Sequence, residues 1–178
     1  SAAALARRII SARVPLNGSQ LAAVLRMAPT SDVRRLEESA LQDAQLLRPL
    51  VEAYARSKRL DDAKRVLGAS SDVTVGAYSP LLAGCVREGD EDMLRASVRL
   101  MGEQQLQPDG DVFGGLILAR LERGELARAH RVFEMALQRT ELPPPEATQP
   151  LLVALVKAGL SGSALELATE LRLRGVRL

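Results

Sequence analysis

Between residues 75 and 178 the sequence nearly repeats itself every 35 residues. A period of that length means supersecondary units stacked one on the next, because no single unit can bury its own apolar face. Units begin at Val75, Gly110 and Pro145, and each carries a glycine at one shared offset: Gly89, Gly124 and Gly159. Leu81, Leu116 and Leu151 share a second register, followed by Leu82, Ile117 and Leu152, and Pro80 matches Pro150.

Within a unit the glycine separates two amphipathic segments. In "AYSPLLAGCVREG" the apolar Leu81, Leu82, Cys85 and Val86 fall on one helical face. In "DEDMLRASVRLM" Met93, Leu94, Val98 and Met101 share a side, and the leading acids complement the positive end of a helix dipole. Helices of about three turns are marginal alone in water, so each stripe needs a neighbour to cover it. Composition agrees with helix packed on helix: aromatics make up 2% of the chain while AVILMFWYC reaches 47%, a core of Leu, Ala and Val.

The same pattern runs through the earlier part of the chain in weaker form. "SAAALARRIISAR" places Leu5, Ile9 and Ile10 at helical spacing, which predicts the outer helix of a partial hairpin; its acid-free Ala/Arg composition also resembles the tail of a transit peptide. "VPLNGS" is a turn, with Ser19 as N-cap for "QLAAVLRMA", and Pro29 ends that helix. Thr30 or Ser31 then caps "TSDVRRLEESALQ", with Asp32 in its first turn. Residues 1–43 thus read as degenerate N-terminal helical hairpins, and 44–74 as a short unit with Lys58 where the later units have glycine and "GASSDVT" as its closing loop. Pro49, Pro80 and Pro150 each precede an aliphatic pair and are expected in the first turn of a helix, where a missing N–H has no partner to lose. The expected fold is an all-α, right-handed α-solenoid of stacked helical hairpins, about eleven helices long.

Several function classes find no support. One cysteine and one histidine exclude an internal disulfide framework and a Cys/His metal site. No apolar run approaches the roughly 18 residues of a membrane span. His130 stands among Arg128, Arg131 and Glu134, with no nucleophile or carboxylate cluster spaced for catalysis, and reads as a solvated side chain. Cys85 lies on the apolar face as a small core residue. The acids of "DEDM" are helix-start residues, Asp109-Gly110-Asp111 lacks the later Glu of a calcium loop, and Gly114-Gly115 follows no strand. The chain is therefore expected to be non-enzymatic, with no metal and no cofactor. The net charge of +2 is unevenly spread: residues 1–74 hold 12 Lys/Arg against 8 Asp/Glu, and 75–178 hold 12 against 14. A nucleic-acid surface usually shows as a basic field, and the clearest repeats are slightly acidic instead.

The repeat resembles the pentatricopeptide repeat, a helical hairpin of organellar RNA-binding proteins. Tyr78, Leu81, Leu82, Arg87, Gly89, Met101, Pro108 and Asp109 match its pattern in the first 35-residue unit. Phe113, Leu116, Ile117, Gly124, Ala129, Phe133 and Pro143 match it in the second, and Leu151, Leu152, Lys157, Ala158, Gly159, Ala164, Leu167, Gly175 and Val176 in the third. The tetratricopeptide repeat, about 34 residues long, wants a Trp and a Leu-Gly-x-x-Tyr string that this chain lacks.

The resemblance implies single-stranded RNA binding in a mitochondrion or chloroplast, along a groove lined by the first helices. It also implies a reading rule. A polar residue early in the first helix and the last residue of the unit together read one base edge. Carried across, the pairs are Ser79 with Asp109 and Gly114 with Pro144, while Gln149 opens a third; Arg48 and Thr74 hold the same places in the short unit. Ser79 with Asp109 looks like the family's guanine-preferring combinations, whereas Gly114 and Pro144 offer no side-chain donor or acceptor. The places of the family's base-sandwiching aliphatic residue hold Gln45, Gly76, Asp111 and Glu146. The family's phosphate-contacting basic residue matches Arg56, Arg87 and Lys157, with Glu122 breaking the row. Three such contacts would give a salt slope of only about −2, and basic residues at those places also favour the negative end of a helix.

A second expectation competes with the first. The chain would be a scaffold subunit of a large organellar assembly, such as a ribosome, holding protein subunits or ribosomal RNA by shape. There Leu165, Leu167, Leu171 and Leu173 of the C-terminal helix would offer an apolar docking surface.

Overall fold

A computed structural model describes residues 18–28, 30–42 and 44–176. The expected outer helix or transit tail of residues 1–13, and the helix stop at Pro29, lie outside these residues. Among the described residues there are α-helices and no strands: α1 (Gly18–Met27), α2 (Thr30–Gln42), α3 (Ala44–Arg56), α4 (Leu60–Ala69), α5 (Val75–Glu88), α6 (Glu91–Glu103), α7 (Gly110–Glu122), α8 (Leu126–Gln138), α9 (Pro145–Lys157) and α10 (Ser161–Leu173).

Local chemistry sets many of the boundaries. The Asp90 and Asp109 carboxylates accept from the backbone N–H groups of Met93 and Val112, at 2.8 and 2.9 Å, and so start α6 and α7 as side-chain N-caps. The first helices of the last three hairpins end at Gly89, Gly124 and Gly159, whose φ values of 75°, 72° and 74° lie in the left-handed region that glycine enters without steric penalty. Lys58 takes the same conformation, φ 59°, at the corresponding turn of the short unit. A second left-handed set follows the second helices, at Gln105 (φ 59°), Thr140 (φ 60°) and Gly175 (φ 79°). Only the last of these is a glycine.

The chain divides into two compact units, Ser1–Gln107 and Pro108–Leu178. In the first, α3 packs against α1, α2, α4 and α5; α5 also packs against α4 and α6, and α2, α4 and α6 follow one another in contact. First helices therefore form one layer and second helices another. The core holds Leu50, Val51, Leu67, Leu81 and Leu82 with two fully buried tyrosines, Tyr54 and Tyr78. The Tyr78 hydroxyl donates to Gln104 Oε1 at 2.6 Å, and Gln104 Nε2 donates to the Leu67 carbonyl at 3.0 Å, so a buried phenol ties three helices. Burial pushes the Tyr78 phenol up to about 12. In the second unit α7 packs on α8 and α9, and α9 on α8 and α10, around Ile117, Phe133, Leu151, Leu155, Leu167 and Leu171.

Several local expectations are corrected. Pro49, Pro80 and Pro150 are each the sixth residue of their helices, inside the second turn, because the helices begin a turn earlier than the prolines suggested. α1 starts at Gly18, which puts Ser19 within it. α4 continues through Gly68 and Ala69, leaving only residues 70–74 as the loop. Val98 is 43% exposed, so the apolar side of α6 is narrower than its spacing implied. Of the four C-terminal leucines, Leu167 and Leu171 are core residues of their own unit; Leu165 and Leu173 alone face solvent, 70% and 72% exposed. The spacing of a helix does not say which of two apolar stripes its own hairpin takes.

Candidate functional site

The first helices carry the candidate residues at recurring places. Arg48, Ser79, Gly114 and Gln149 are each the fifth residue of α3, α5, α7 and α9. Thr74, Asp109 and Pro144 are the N-cap residues of α5, α7 and α9. Ser79 is half-buried and Gln149 exposed. Ser79 belongs to the first compact unit and Asp109 to the second. The Asp109 carboxylate is half-buried and its Oδ1 caps α7, so one oxygen has a structural task before any ligand arrives.

Gly114 and Pro144 meet each other. A Cβ on Gly114 would lie 2.8 Å from Pro144 Cδ, 3.2 Å from Pro144 Cγ and 3.4 Å from Ala147 Cβ. The proline ring thus occupies the space a side chain would need at that place. Near it, a Cβ on Gly110 would come within 2.3 Å of the Leu142 carbonyl oxygen, and the Gly110 N–H donates to Glu141 Oε2 at 3.2 Å. In the first unit the Arg48 guanidinium reaches the start of α5, with Nη1 3.4 Å from where a Gly76 Cβ would stand.

The basic residues sit at the carboxyl ends of the same helices, where the dipole favours a cation. Arg56 ends α3, exposed, with Nε 3.0 Å from Glu52 Oε1. Arg87 lies exposed in the last turn of α5, and Lys157 is the exposed last residue of α9. Glu122 ends α7.

The turn that follows Glu122 holds a charge cluster centred on Glu125. Glu125 Oε2 accepts from Arg120 Nη1 at 2.6 Å, Glu125 Oε1 from Arg123 Nε at 2.9 Å, and Arg128 Nη1 stands 3.5 Å from Oε2. Hydrogen bonds from Arg123 and Arg120 hold the Glu125 carboxyl down at about 2. The only sequence signal for this cluster is the spacing of opposite charges at 120, 123, 125 and 128. A second network joins α2 to α3 and α4: Arg65 of α4 bridges Glu37 at 2.7 Å and Asp62 at 3.0 Å, Arg59 in the turn before α4 holds Asp62 at 2.7 Å, and the Tyr54 hydroxyl of α3 donates to Glu37. Burial, then the bond to Glu37, raises the Tyr54 phenol.

The remaining candidates have structural places. Cys85 is fully buried and its thiol is pushed up to about 12 by burial. His130 is half-buried, with Nδ1 3.8 Å from Glu134 Oε1, and not the solvated side chain its neighbours suggested. Among the described residues no group of His, Cys, Asp and Glu could hold a metal ion. No helix among them is long and apolar enough to cross a membrane.

No family model matches the sequence, and no curated protein matches it. A solved structure does: the pentatricopeptide repeat protein PPR10 in complex with an 18-nucleotide psaJ RNA element aligns over 98% of this chain with a TM-score of 0.58. The fold resembles a pentatricopeptide repeat solenoid. At 20% identity the likeness is one of backbone, and the chain spans 27% of that protein's length. Of the first helices, α3 bears Arg56, α5 bears Ser79 and Arg87, and α9 bears Gln149 and Lys157, while α7 has Gly114 and Glu122 at the matching places.

Proposed function

We propose that this chain is a non-catalytic helical-repeat protein that binds single-stranded RNA along its first helices, in a mitochondrion or chloroplast. The likeness of nearly the whole chain to a repeat protein solved with RNA carries the reading. The side chains supply a workable chemistry. Arg56, Arg87 and Lys157 are exposed cations at the ends of α3, α5 and α9, able to meet phosphates. Ser79 offers a hydroxyl that both donates and accepts, Asp109 a carboxylate that accepts, and Gln149 an exposed amide that does both. Gly114, filled over by Pro144, contributes nothing to base reading.

Titrating the purified chain against a degenerate single-stranded RNA pool at two salt concentrations tests this directly. Binding with a salt slope of about −2 is expected, and reversing Arg56, Arg87 and Lys157 to acids should abolish it. Binding that survives the triple reversal removes these residues from the site; no binding at any salt removes the function.

A second reading has one observation in its favour: Leu165 and Leu173 expose apolar surface on α10. On that reading the repeats serve as a scaffold subunit of a large organellar assembly and dock protein subunits or ribosomal RNA. Leu165→Glu with Leu173→Glu should then release the chain from the assembly while leaving binding to free RNA unaltered.

A further inference from the structure

The chain has two tyrosines, two phenylalanines and no tryptophan, and all four rings lie in the core: Tyr54 and Tyr78 are fully buried, and Phe113 and Phe133 are 3% and 2% exposed. A single strand held along the first helices therefore meets no aromatic ring on which a base could stack. The other side-chain plane that stacks on a nucleobase is the arginine guanidinium. Helices α3, α5, α7 and α9 carry Arg48, Arg56, Arg87 and Arg120, and the fold accounts for the last three. Arg56 pairs with Glu52 at 3.0 Å, Arg120 is buried against Glu125 at 2.6 Å, and Arg87 lies in the last turn of α5, where the helix dipole favours a cation.

Arg48 is placed differently. It is exposed, and no carboxylate among the described residues pairs with it; Glu52, one turn further along α3, is taken by Arg56. Its Nη1 lies 3.4 Å from where a Gly76 Cβ would stand, in the first turn of α5. That turn contains no acid, and a cation at the amino end of a helix opposes the dipole. The fold gains nothing from a charge there. Outside its own helix, a Cβ on Gly76 would meet Arg48 and nothing else within 4 Å among the described residues, whereas the space over Gly114 is taken by the Pro144 ring. Nearby, the exposed Thr74 makes no side-chain capping bond to α5.

We propose that Arg48 is a base-stacking residue for single-stranded RNA. Its guanidinium plane takes the face of a nucleobase in the open space over Gly76, and the Thr74 hydroxyl meets the edge of that base. The inference rests on the RNA reading and deepens it: Ser79, Asp109 and Gln149 supply hydrogen bonds to base edges, and Arg48 supplies contact with a base face.

The test separates the plane of the guanidinium from its charge. The full chain and its variants are titrated with random-sequence single-stranded RNA at two salt concentrations. Arg48→Ala and Arg48→Lys should each weaken binding by about tenfold, the lysine variant with the salt slope of the parent, because its charge is kept and its plane is lost. Both should melt with the parent. Adding Gly76→Val to Arg48→Ala should recover most of the affinity, since a valine there has room and returns an apolar surface to the base. A lysine variant that keeps the parent's affinity assigns Arg48 to a phosphate and overturns stacking. So does an alanine variant that loses nothing, or a double variant that recovers nothing. No binding by the parent overturns this inference and the RNA reading together, whereas binding that is lost on reversing Arg56, Arg87 and Lys157 but indifferent to Arg48→Ala removes the stacking residue alone.

Discussion

Gly110→Ala tests the packing that closes the second unit. Gly110 has no left-handed backbone to protect, so its cost comes from space alone. The new Cβ would stand 2.3 Å from the Leu142 carbonyl oxygen and 3.1 Å from its carbonyl carbon. Both atoms are backbone, in the segment that leads into Pro143 and Pro144, and cannot swing aside as a flexible side chain would. Overpacking of this kind costs about 1–3 kcal/mol, and a backbone neighbour puts this case near the upper end. The better helix propensity of alanine returns roughly 0.5–1 kcal/mol, leaving about 2 kcal/mol of net destabilisation. For a unit of this size that lowers its melting temperature by roughly 8–16 °C. Gly102→Ala is the control: its Cβ meets nothing within 4 Å, inside α6, so it should stabilise the first unit by about 0.5 kcal/mol. Thermal unfolding followed at 222 nm reads both. A Gly110→Ala protein that melts with the parent would show that the close approach of α7 to the Leu142 carbonyl is not a feature of the fold.

Two other substitutions act through backbone strain and charge. Thr140 is β-branched at φ 60°, a conformation costing about 1–2 kcal/mol for such a residue; Thr140→Gly removes that cost at the expense of a more flexible unfolded chain and should raise the melting temperature of its unit by a few degrees. Glu125 is held at about 2, below its ordinary 4.5, so the stability it contributes is complete above the ordinary value and is lost as pH falls toward 2. Glu125→Gln should flatten the acid limb of a stability profile between about pH 5 and pH 2 and leave the Arg120 guanidinium, which is buried, without its carboxylate.

Much of the architecture was legible because its signals are periodic. Gly89, Gly124 and Gly159 recur where the backbone turns left-handed, and glycine is the residue that such a turn selects. The second set of turns was hidden, because Gln105 and Thr140 accept the same conformation under strain and leave no compositional trace. The prolines misled by a turn: each is the sixth residue of its helix, where it removes one backbone hydrogen bond without ending the helix, so the helix start lies upstream of the residue that seemed to mark it. Leu165 and Leu173 could not be told from Leu167 and Leu171 by spacing, since burial depends on which neighbour the hairpin meets. The candidate site was legible as a row of places, the fifth residues and N-caps of the first helices. What fills those places took the structure to see: the Pro144 ring over Gly114 and Arg48 across Gly76. The glutamate under three arginines lies off that row, at the N-cap of α8.

Asp109 is where fold and proposed function make opposite demands on one side chain, and two substitutions separate them. Its Oδ1 caps α7 through the Val112 N–H at 2.9 Å, a bond that asparagine can also make through its amide oxygen. Asp109→Asn should therefore leave the melting of the second unit nearly unchanged, whereas Asp109→Ala removes the cap and should cost about 1 kcal/mol. Base reading behaves differently. A carboxylate accepts at both oxygens, while an amide accepts at one end and donates at the other, so Asn at 109 presents a different pattern to a base edge. If Asp109 reads a base, Asp109→Asn changes which nucleotides are enriched from a degenerate RNA pool, with affinity for the backbone retained. Should the enriched sequences stay the same in Asp109→Asn while Asp109→Ala lowers stability, the carboxylate is a helix cap and nothing more, and Ser79 is left without the partner that made it a reader.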